Sequence, residues 1–473
     1  MKFEDIVDYL RGRSDLSEWT YESGREKARE SFFTGSRLDM ARSKDVERGS
    51  LVVHVDARQT SGERGRGSAL VSVPASADRA ELAAITDRAV ERARVSVGPA
   101  WSLAEASVPD VPTEGKRMPS GRGDPVAAGL ASDPAAAGLA AESVRAAIFA
   151  AEAEAQARGA GGPSARVTRS ARFAATEIFI TERECRLENS RGDRYEWNDA
   201  LIETEMATSC AGAGGNDDVE LVGSWSARID SLQSFDHVAV EIAREASELL
   251  ALTRDRADAV SLPELPNLPV ALGGEAVAEF FSHFFYRAGA AQVRMGISDA
   301  RVGGPIGPYA LGGDSPTIGF DPSMPGSPAD RPADADGFPL RRTVLVENGI
   351  VRALEGPCRH AAALALAPVG SCSSLWVAPG SLREEELHAM PRLEALVFSD
   401  FFMDQASGEF GGELRLGILH QGGKRTPVTG GSISGSIAAE AANLRFSAER
   451  RRYGSFLGPL FVLLAQARIA RAD

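Results

Sequence analysis

Hydrophobic positions in the first 260 residues switch several times between helical and extended spacing. Apolar residues three and four positions apart predict helices over 3–10, 80–95, 142–158 and 235–252. Short apolar runs predict strands over 50–56, 67–73, 165–173, 177–181 and 194–208, and a glycine-bearing turn joins the first two as a hairpin. Residues 104–141 are rich in Pro, Gly and Ala, which predicts a long surface connection, and residues 160–163 predict a turn.

Strand signals dominate the second half of the chain. Extended patterns predict strands over 269–273, 342–347, 350–355, 395–400, 412–420, 425–428 and 460–469. The dipeptide Asn348-Gly349 lies between two of these runs and is typical of a tight hairpin turn. Helical spacing predicts helices over 275–291 and 437–451. Residues 303–339 are rich in Gly and Pro, and we expect an extended segment without a core of its own.

A proline cluster at residues 263–269 marks the predicted boundary between two domains. Proline stiffens a linker and blocks the continuation of a helix, and three prolines fall within these seven positions. We therefore predict an α+β fold, with a mixed α/β N-terminal domain over 1–255 and a β-rich C-terminal domain over 263–473. The N-terminal domain would include the flexible connection near 104–141, and the C-terminal domain would carry the packed helix at 275–291.

Composition narrows the possible classes of function. The 473 residues carry a net charge of −14, which disfavours nucleic acid as a partner because the phosphate backbone is also negative. The sequence has no apolar run near the ~20 residues that span a bilayer, and charged residues stand at its start. Four widely separated cysteines argue against a disulfide framework and against a zinc knuckle. We expect a cytoplasmic protein that uses neither a membrane nor nucleic acid.

Two places could carry chemistry, and each also has a plain structural interpretation. Glu275, Glu279, His283 and Arg287 recur every four residues along the predicted helix. They could supply a lone metal ligand or general base, but a solvated stripe of salt bridges is favoured. Cys372 lies in a loop of small residues that could hold a thiolate, although such loops are more often simply tight turns.

Several segments, in order along the chain, resemble the TldD/PmbA family, also called modulators of DNA gyrase. Residues 336–339 (DGFP) and the following LVENGIV of 345–351 resemble the family's hairpin motif. Residues 369–373 (VGSCS) with 378–380 (APG), 407–410 (SGEF) and 427–437 (PVTGGSISGSI) resemble three further family segments. In the first half, 44–73 and 188–192 (ENSRG) follow in the expected order. The resemblance covers roughly residues 40–470.

The resemblance implies one of two kinds of subunit. TldD-type chains carry an HExxxH helix and a C-terminal cysteine that bind a catalytic zinc, whereas TldE-type chains lack these ligands and form the partner subunit. Here the corresponding helix, 276–287 (AVAEFFSHFFYR), has one histidine, and 452–456 (RYGSF) contains no cysteine. The resemblance therefore implies a TldE-type chain without catalytic or metal-binding residues, with zinc expected only in a TldD-type partner. Such a chain would bind unfolded peptide together with that partner, or as a homodimer.

Peptide binding would fall on the glycine-rich segment that includes Ser407, Gly408, Gly411 and Gly412. Glycines beside a strand allow another backbone to approach closely, as in strand addition at a sheet edge, although they could equally form bulges and turns. Two alternatives stay open at this point. The chain could be a metallopeptidase in its own right, with unrecognised ligands such as His283 and Cys372. It could also be a regulator that binds a protein target without any protease complex.

Overall fold

The computed structural model describes residues 1–59, 62–104, 134–159, 170–212, 218–229, 232–265 and 268–471. One antiparallel sheet is built from residues 18–229, and two further sheets are built from residues 260–470. Helices and strands both contribute to the fold, which confirms the predicted α+β class. No helix among these residues is long and apolar enough to cross a membrane.

The first sheet has seven antiparallel strands in the order β4-β3-β2-β1-β5-β6-β7. Its strands are β1 (Glu18–Thr34), β2 (Arg37–Arg58), β3 (Arg64–Pro74), β4 (Val97–Pro99), β5 (Arg172–Asn189), β6 (Arg194–Cys210) and β7 (Val219–Ile229). The β2–β3 pairing confirms the predicted hairpin. The sequence reasoning missed β1, the first part of β2 and β7. In β1 and β2 charged residues replace the apolar alternation, and ion pairs such as Arg25–Asp45 join the two strands.

Four helices cover one face of this sheet: α1 (Phe3–Arg11), α2 (Arg79–Val95), α3 (Pro134–Gly159) and α4 (Leu232–Asp258). The side chain of Asp78 caps α2 by accepting from the backbone N–H groups of Ala80 and Glu81. Apolar side chains of α1 and α2 pack on β1–β3, and those of α3 and α4 pack on β5–β7. The strand registers place both sets on the same face, which leaves the other face for the second half of the chain.

The second half forms two sheets. A six-stranded sheet has the order β12-β11-β10-β13-β20-β19, and a larger sheet has the order β18-β21-β9-β14-β15-β16-β8, with β17 and β22 added beside β15. The strands are β8 (Val260–Ser261), β9 (Val270–Leu272), β10 (Ile318–Phe320), β11 (Thr343–Glu347), β12 (Ile350–Val351), β13 (Leu375–Val377), β14 (Arg392–Met403), β15 (Glu409–Gln421), β16 (Lys424–Thr429), β17 (Ser432–Ser436), β18 (Arg445–Phe446), β19 (Arg450–Tyr453), β20 (Phe456–Pro459), β21 (Val462–Leu464) and β22 (Arg468–Ala470).

A phenylalanine-rich helix, α5 (Ala276–Arg287), lies between these two sheets. Phe280 contacts Phe410 of the larger sheet at a ring-centroid distance of 5.7 Å. Phe281 contacts Phe446 at 4.9 Å and Phe456 of the six-stranded sheet at 6.1 Å. The remaining helices are short: α6 (Ala290–Arg294), α7 (Cys358–Ala363), α8 (Glu384–Ala389) and α9 (Ile437–Glu440).

The hairpin predicted at Asn348-Gly349 is confirmed. β11 and β12 pair antiparallel across this dipeptide, and both residues have positive φ, +48° at Asn348 and +77° at Gly349. A two-residue hairpin loop needs positive φ at both positions to match the right-handed twist of the flanking strands. Asn and Gly adopt this conformation most readily.

Several predicted elements differ from the structure. The helix predicted over 437–451 is wrong beyond Glu440, because the chain turns into β18 and β19, where Phe446 is buried against α5. The helix predicted over 275–291 ends at Arg287, and the strand predicted over 460–469 is divided into β21 and β22. The connection predicted at 104–141 is wrong from Pro134, where α3 begins. The rest of that connection, the turn at 160–163 and most of the strand at 165–173 lie outside the described residues.

The predicted domain limits stay a prediction, but the sheets show where the chain passes from the first sheet to the C-terminal sheets. Every described strand of the first sheet precedes residue 230, and α4 ends at Asp258. The short strand β8 precedes the proline cluster yet pairs in parallel with β16 of the larger C-terminal sheet. The change from one sheet system to the other therefore falls between α4 and β8, just before the prolines.

We expect Phe281→Ala to lower the free energy of unfolding by about 3–5 kcal/mol, because the ring is fully buried between the two sheets. Phe402→Ala is the matched control, since the Phe402 side chain is 56% exposed on β14 and its loss should change stability by less than about 1 kcal/mol. Denaturant titration followed by circular dichroism measures both. Equal destabilisation by the two variants would contradict the central role of α5.

Candidate functional site

A groove runs between the helix-free face of the first sheet and the second half of the chain. Its volume is about 670 Å³. Four parts of the fold line it: strands β5–β7 at one side of the first sheet, α4, the first turn of α5, and the segment that joins β19 to β20. The lining residues are Phe179, Glu203, Thr204, Glu205, Ser224, Trp225, Ser226, Glu245, Glu275, Ala278, Arg452, Tyr453, Gly454 and Ser455.

The sheet wall of the groove is polar because of strand alternation. Ile202 and Met206 of β6 point toward the helices and are buried, so Glu203 and Glu205 point to the opposite face and are exposed. Register pairs these two residues with Ser226 and Ser224 of β7. Two carboxylates and two hydroxyls therefore form an exposed row beside the last strand of the sheet.

Arg452 joins the two halves of the chain at this groove. Its Nη1 donates to the carbonyl oxygens of Ser226 at 2.7 Å and Gly454 at 3.0 Å, and its Nη2 pairs with Glu241 at 3.1 Å. The guanidinium also lies 5.7 Å from the centre of the Trp225 ring, within range of a cation–π contact. Arg452 thereby fixes β19 against the edge of β7.

The neighbouring Arg451 neutralises acidic side chains of α4 beside the groove. Its guanidinium pairs with Glu245 and Glu248 of α4 and lies 5.4 Å from the centre of the Tyr453 ring. Burial raises the pKa of Tyr453 to about 12, so its hydroxyl stays protonated. Burial and the charge of Glu245 raise the pKa of Glu275 above its ordinary value.

The free edge of β7 is the feature of the groove that can hold an extended chain. Thr208 of β6 donates to the carbonyl of Leu221, so the backbone of this residue faces β6. The carbonyls of Glu220 and Ser226 and the N–H of Arg228 instead face away, toward Arg415, Arg452 and the Gly326 carbonyl. Antiparallel ladders alternate in this way, so Val222 and Ser224 also face away from β6.

The outward-facing N–H and carbonyl groups of Val222 and Ser224 have no hydrogen-bonding partner within the part of the chain that the structure describes. Val222 and Ser224 are both exposed, and Ser224 lines the groove. An unpaired stretch of sheet edge is a template for another extended segment. Sequence reasoning missed this edge because β7 itself was not predicted, and only the register of the sheet shows which backbone groups face outward.

The four residues predicted to bind peptide lie elsewhere. Ser407 and Gly408 form the turn between β14 and β15, where Asp404 accepts from the N–H groups of Ala406 and Ser407. Gly408 has φ +78°, and a Cβ there would meet the His283 ring at 3.0 Å. This position requires glycine for the local backbone.

Gly411 and Gly412 lie within β15, which at this point pairs with β14 on one side and β17 on the other. The strand therefore offers no free edge at these glycines. Peptide binding by these four residues stays a prediction, and strand addition at this place has no unpaired backbone to use.

The solvated stripe predicted on α5 is wrong for two of its four members. His283 is 1% exposed, and its two ring nitrogens contact the Gln405 carbonyl at 2.8 Å and the Tyr309 hydroxyl at 3.0 Å. Arg287 is 6% exposed; its Nε donates to the Ile306 carbonyl at 2.6 Å and its Nη2 pairs with Asp299. Because α5 lies between two sheets, even its polar face is covered.

Cys372 does not have the environment of a nucleophile. The side chain is buried in the core around α5, and burial raises its pKa to about 12. A thiol with so high a pKa is almost entirely protonated near neutral pH, and the thiolate is the reactive form. Both His283 and Cys372 lie outside the lining of the groove.

The C-terminal half of the chain is similar in sequence to a known protein family. Residues 266–471 match the family model of the PmbA/TldA metallopeptidase C-terminal domain. Residues 266–471 therefore form a C-terminal domain of the PmbA/TldD type. No curated protein sequence is significantly similar to the chain.

Solved structures of similar proteins show the same fold along the whole chain. TldE from Thermococcus kodakarensis is 15% identical with a TM-score of 0.70, and the match covers 98% of this chain and 100% of that one. A putative modulator of DNA gyrase from Thermotoga maritima is 14% identical with a TM-score of 0.71, covering 100% of both chains. One from Bacteroides thetaiotaomicron is 14% identical with a TM-score of 0.72, covering 99% and 98%.

The groove is lined by parts of both segments that the family resemblance associates with zinc ligands in TldD-type chains. Glu275 and Ala278 come from the start of α5, and residues 452–455 come from the segment before β20. The side chains that line the groove include carboxylates but neither imidazole nor thiol. Among the described residues, no group of three or more His, Cys, Asp or Glu side chains could hold a metal ion. These residues do not fit a zinc site of the family type.

The buried His283 should make stability depend on pH. Burial lowers the pKa of His283 from 6.5 to about 4. The unfolded chain therefore takes up a proton before the folded chain does, and stability is lost as the pH falls from 6.5 toward 4. When the pH is lowered from about 7 to about 5, we expect the free energy of unfolding to fall less in His283→Gln than in the natural chain. The difference between the two should reach up to about 2 kcal/mol.

Urea titrations at the two pH values measure this difference. The exposed His388 provides the control, and His388→Gln should keep the pH dependence of the natural chain. An unchanged pH dependence in His283→Gln would show that His283 is not held neutral by burial.

Proposed function

We propose that this chain is a non-catalytic, peptide-binding subunit of a TldD/TldE-like metalloprotease complex that processes unfolded peptides. The PmbA/TldD-type C-terminal domain supports the complex. The observation that carries the binding role is the unpaired edge of β7 at Val222 and Ser224, beside a groove of about 670 Å³. An extended peptide pairs with such an edge through main-chain hydrogen bonds, which need no particular side chain.

The walls of the groove favour certain peptides. Glu203 and Glu205 are exposed on β6, one strand in from the edge, with their side chains in the lining of the groove. Trp225 and Tyr453 provide aromatic surface at the same place. Peptides with basic and aromatic side chains should therefore bind better than acidic ones, because the acidic wall attracts the former and repels the latter.

In this proposal the hydrolytic chemistry belongs to the partner. A TldD-type homologous subunit would bind the zinc and activate water, and this chain would present the peptide and close one wall of a chamber. Enclosing the site between two subunits keeps folded proteins out by size. The contact between subunits should exceed about 1,000 Å², the rough size of a specific interface. We place the complex in the cytoplasm, and a second copy of this chain is the alternative partner.

The alternative of a metallopeptidase acting alone has less support. His283 has both ring nitrogens in hydrogen-bonding contacts, and Cys372 is buried with a raised pKa, so neither is prepared to bind a metal. We expect the purified chain to bind no stoichiometric zinc and to cleave no unfolded peptide. Metal analysis and a peptidase assay test this, and near-equimolar zinc that is lost in His283→Ala would overturn it.

Ser224→Pro tests the edge of β7 directly. Proline removes the outward N–H of residue 224 and places a ring where the peptide backbone would lie, yet it is tolerated on an edge strand whose N–H faces outward. We expect the affinity for a fluorescently labelled unfolded peptide to fall about tenfold or more, as measured by anisotropy on the assembled complex. Ser224→Ala is the matched control, because it removes only the hydroxyl and should bind as the natural chain does.

Circular dichroism must show that both variants are folded. If folded Ser224→Pro binds peptide as tightly as Ser224→Ala, the peptide does not pair with β7. Co-purification from the native cell tests the partner separately, and the proposed complex requires that a TldD-type subunit be recovered with this chain.

A further inference from the structure

A second cavity lies on a different side of the molecule from the groove. Its volume is about 190 Å³, comparable to the space of about six water molecules. Arg66 and Ser68 of β3 and Trp101 line it from the first half of the chain. Arg294, at the end of α6, and Arg359, in the first turn of α7, line it from the second half. Three guanidinium groups therefore meet at one small cavity.

Arg66 is the buried member, with 7% of its side chain exposed. Its Nη1 pairs with Glu18 and its Nε pairs with Asp56 at 2.7 Å. The guanidinium lies 5.6 Å from the centre of the Trp101 ring. These contacts balance the charge of Arg66 and fix its position, and its Nη2 has no acceptor among the described residues.

Arg294 and Arg359 form no ion pair of this kind among the described residues, although the charge of Arg359 acts on the buried carboxyl group of Asp336. Within the described ranges neither forms an ion pair with a carboxylate, and each instead points a nitrogen at the ring of His360. Arg294 Nη1 lies 3.4 Å from Nδ1, and Arg359 Nε lies 3.3 Å from Nε2. A neutral imidazole accepts at only one of its two nitrogens, so His360 cannot satisfy both guanidinium groups.

Two histidines beside the cavity are neutral and supply hydrogen-bonding groups without charge. Burial and the charges of the two arginines lower the pKa of His360, which keeps its ring neutral. The hydroxyl of Ser68 contacts Nδ1 of His54, a buried histidine whose ring packs on Trp101 at 4.7 Å. Nε2 of His54 is buried and has no partner within the described structure.

We propose that this cavity binds a phosphate dianion, either free phosphate or the phosphate group of a small monoester. A phosphate monoester carries about −1.5 to −2 charges at neutral pH, which suits the guanidinium groups of Arg294 and Arg359, neither of which forms an ion pair within the described residues. The planar guanidinium fork also fits phosphate oxygens with two parallel hydrogen bonds. Nη2 of Arg66 is a further donor, and the Ser68 hydroxyl is another when His54 carries its proton on Nδ1 and donates to it.

The bound anion would join the two halves of the chain. Arg66 and Trp101 belong to the first half, and Arg294 and Arg359 belong to the second. A ligand held by both halves binds the folded chain and not the unfolded one, so it should raise the melting temperature. This inference does not depend on the proposed peptide-binding function, because it concerns different residues and a different ligand.

Isothermal titration of the full chain with inorganic phosphate tests the proposal. We expect saturable binding of phosphate, much weaker binding of acetate at the same ionic strength, and a rise in melting temperature with phosphate. Arg294→Gln and Arg359→Gln should each weaken phosphate binding about tenfold, since each removes a charge-assisted hydrogen bond. Both side chains are exposed, so the variants should fold.

Arg301→Gln is the matched control, because Arg301 is exposed on the same half but lies outside the cavity. It should bind phosphate as the natural chain does. Phenyl phosphate distinguishes the sources: tighter binding than phosphate indicates a monoester ligand, and weaker binding indicates free phosphate. The proposal is overturned if the natural chain does not bind phosphate, if acetate binds equally well, or if the two cavity variants bind like Arg301→Gln.

Discussion

Burial of the phenylalanine side chains of α5 between two sheets is the constraint on which the C-terminal half depends. Phe280, Phe281 and Phe284 are each fully buried, and each contributes about 1.5–3 kcal/mol through the hydrophobic effect. Neither sheet could exclude water from its inner face alone, and the helix fills the space between them. The same enclosure explains why His283 and Arg287 are buried with hydrogen-bonding partners instead of facing solvent.

The junction between the two halves follows from the first sheet. Its four helices occupy one face, so the other face is left for the C-terminal half. Leu187 and Tyr195 pack there against Ala333, and Arg228 pairs with Asp330 at 2.9 Å. The groove lies between the same sheet face and the C-terminal half, and its sheet wall is polar because it uses the strand positions that alternate with the core positions.

Sequence patterns predicted the helices and turns that are stabilised by residues close to them in the sequence. The helix α2, with its Asp78 cap, and the Asn348-Gly349 hairpin depend on neighbouring residues, and both were found. Strand β1 could not be found in this way, because its polar residues are held by partners on two sides. The helix predicted over 437–451 failed for the converse reason, since burial of Phe446 on α5 outweighs helix propensity. The candidate site combines residues from both halves, and no local pattern indicates such a combination.

The length of the free edge limits how a peptide can be recognised. Arg415 binds the Glu220 carbonyl on one side of Val222 and Ser224, and Arg452 binds the Ser226 carbonyl on the other. Between these two contacts, Val222 and Ser224 are the outward-facing residues whose N–H and carbonyl groups both lack a partner among the described residues, so main-chain bonds contribute a few kcal/mol at most. Such a short edge also protects the subunit from pairing with itself, which a long exposed edge would promote. Under the proposed function, binding therefore depends on a partner subunit to supply the remaining contacts, and a loosely selective site suits substrates that share only an unfolded backbone.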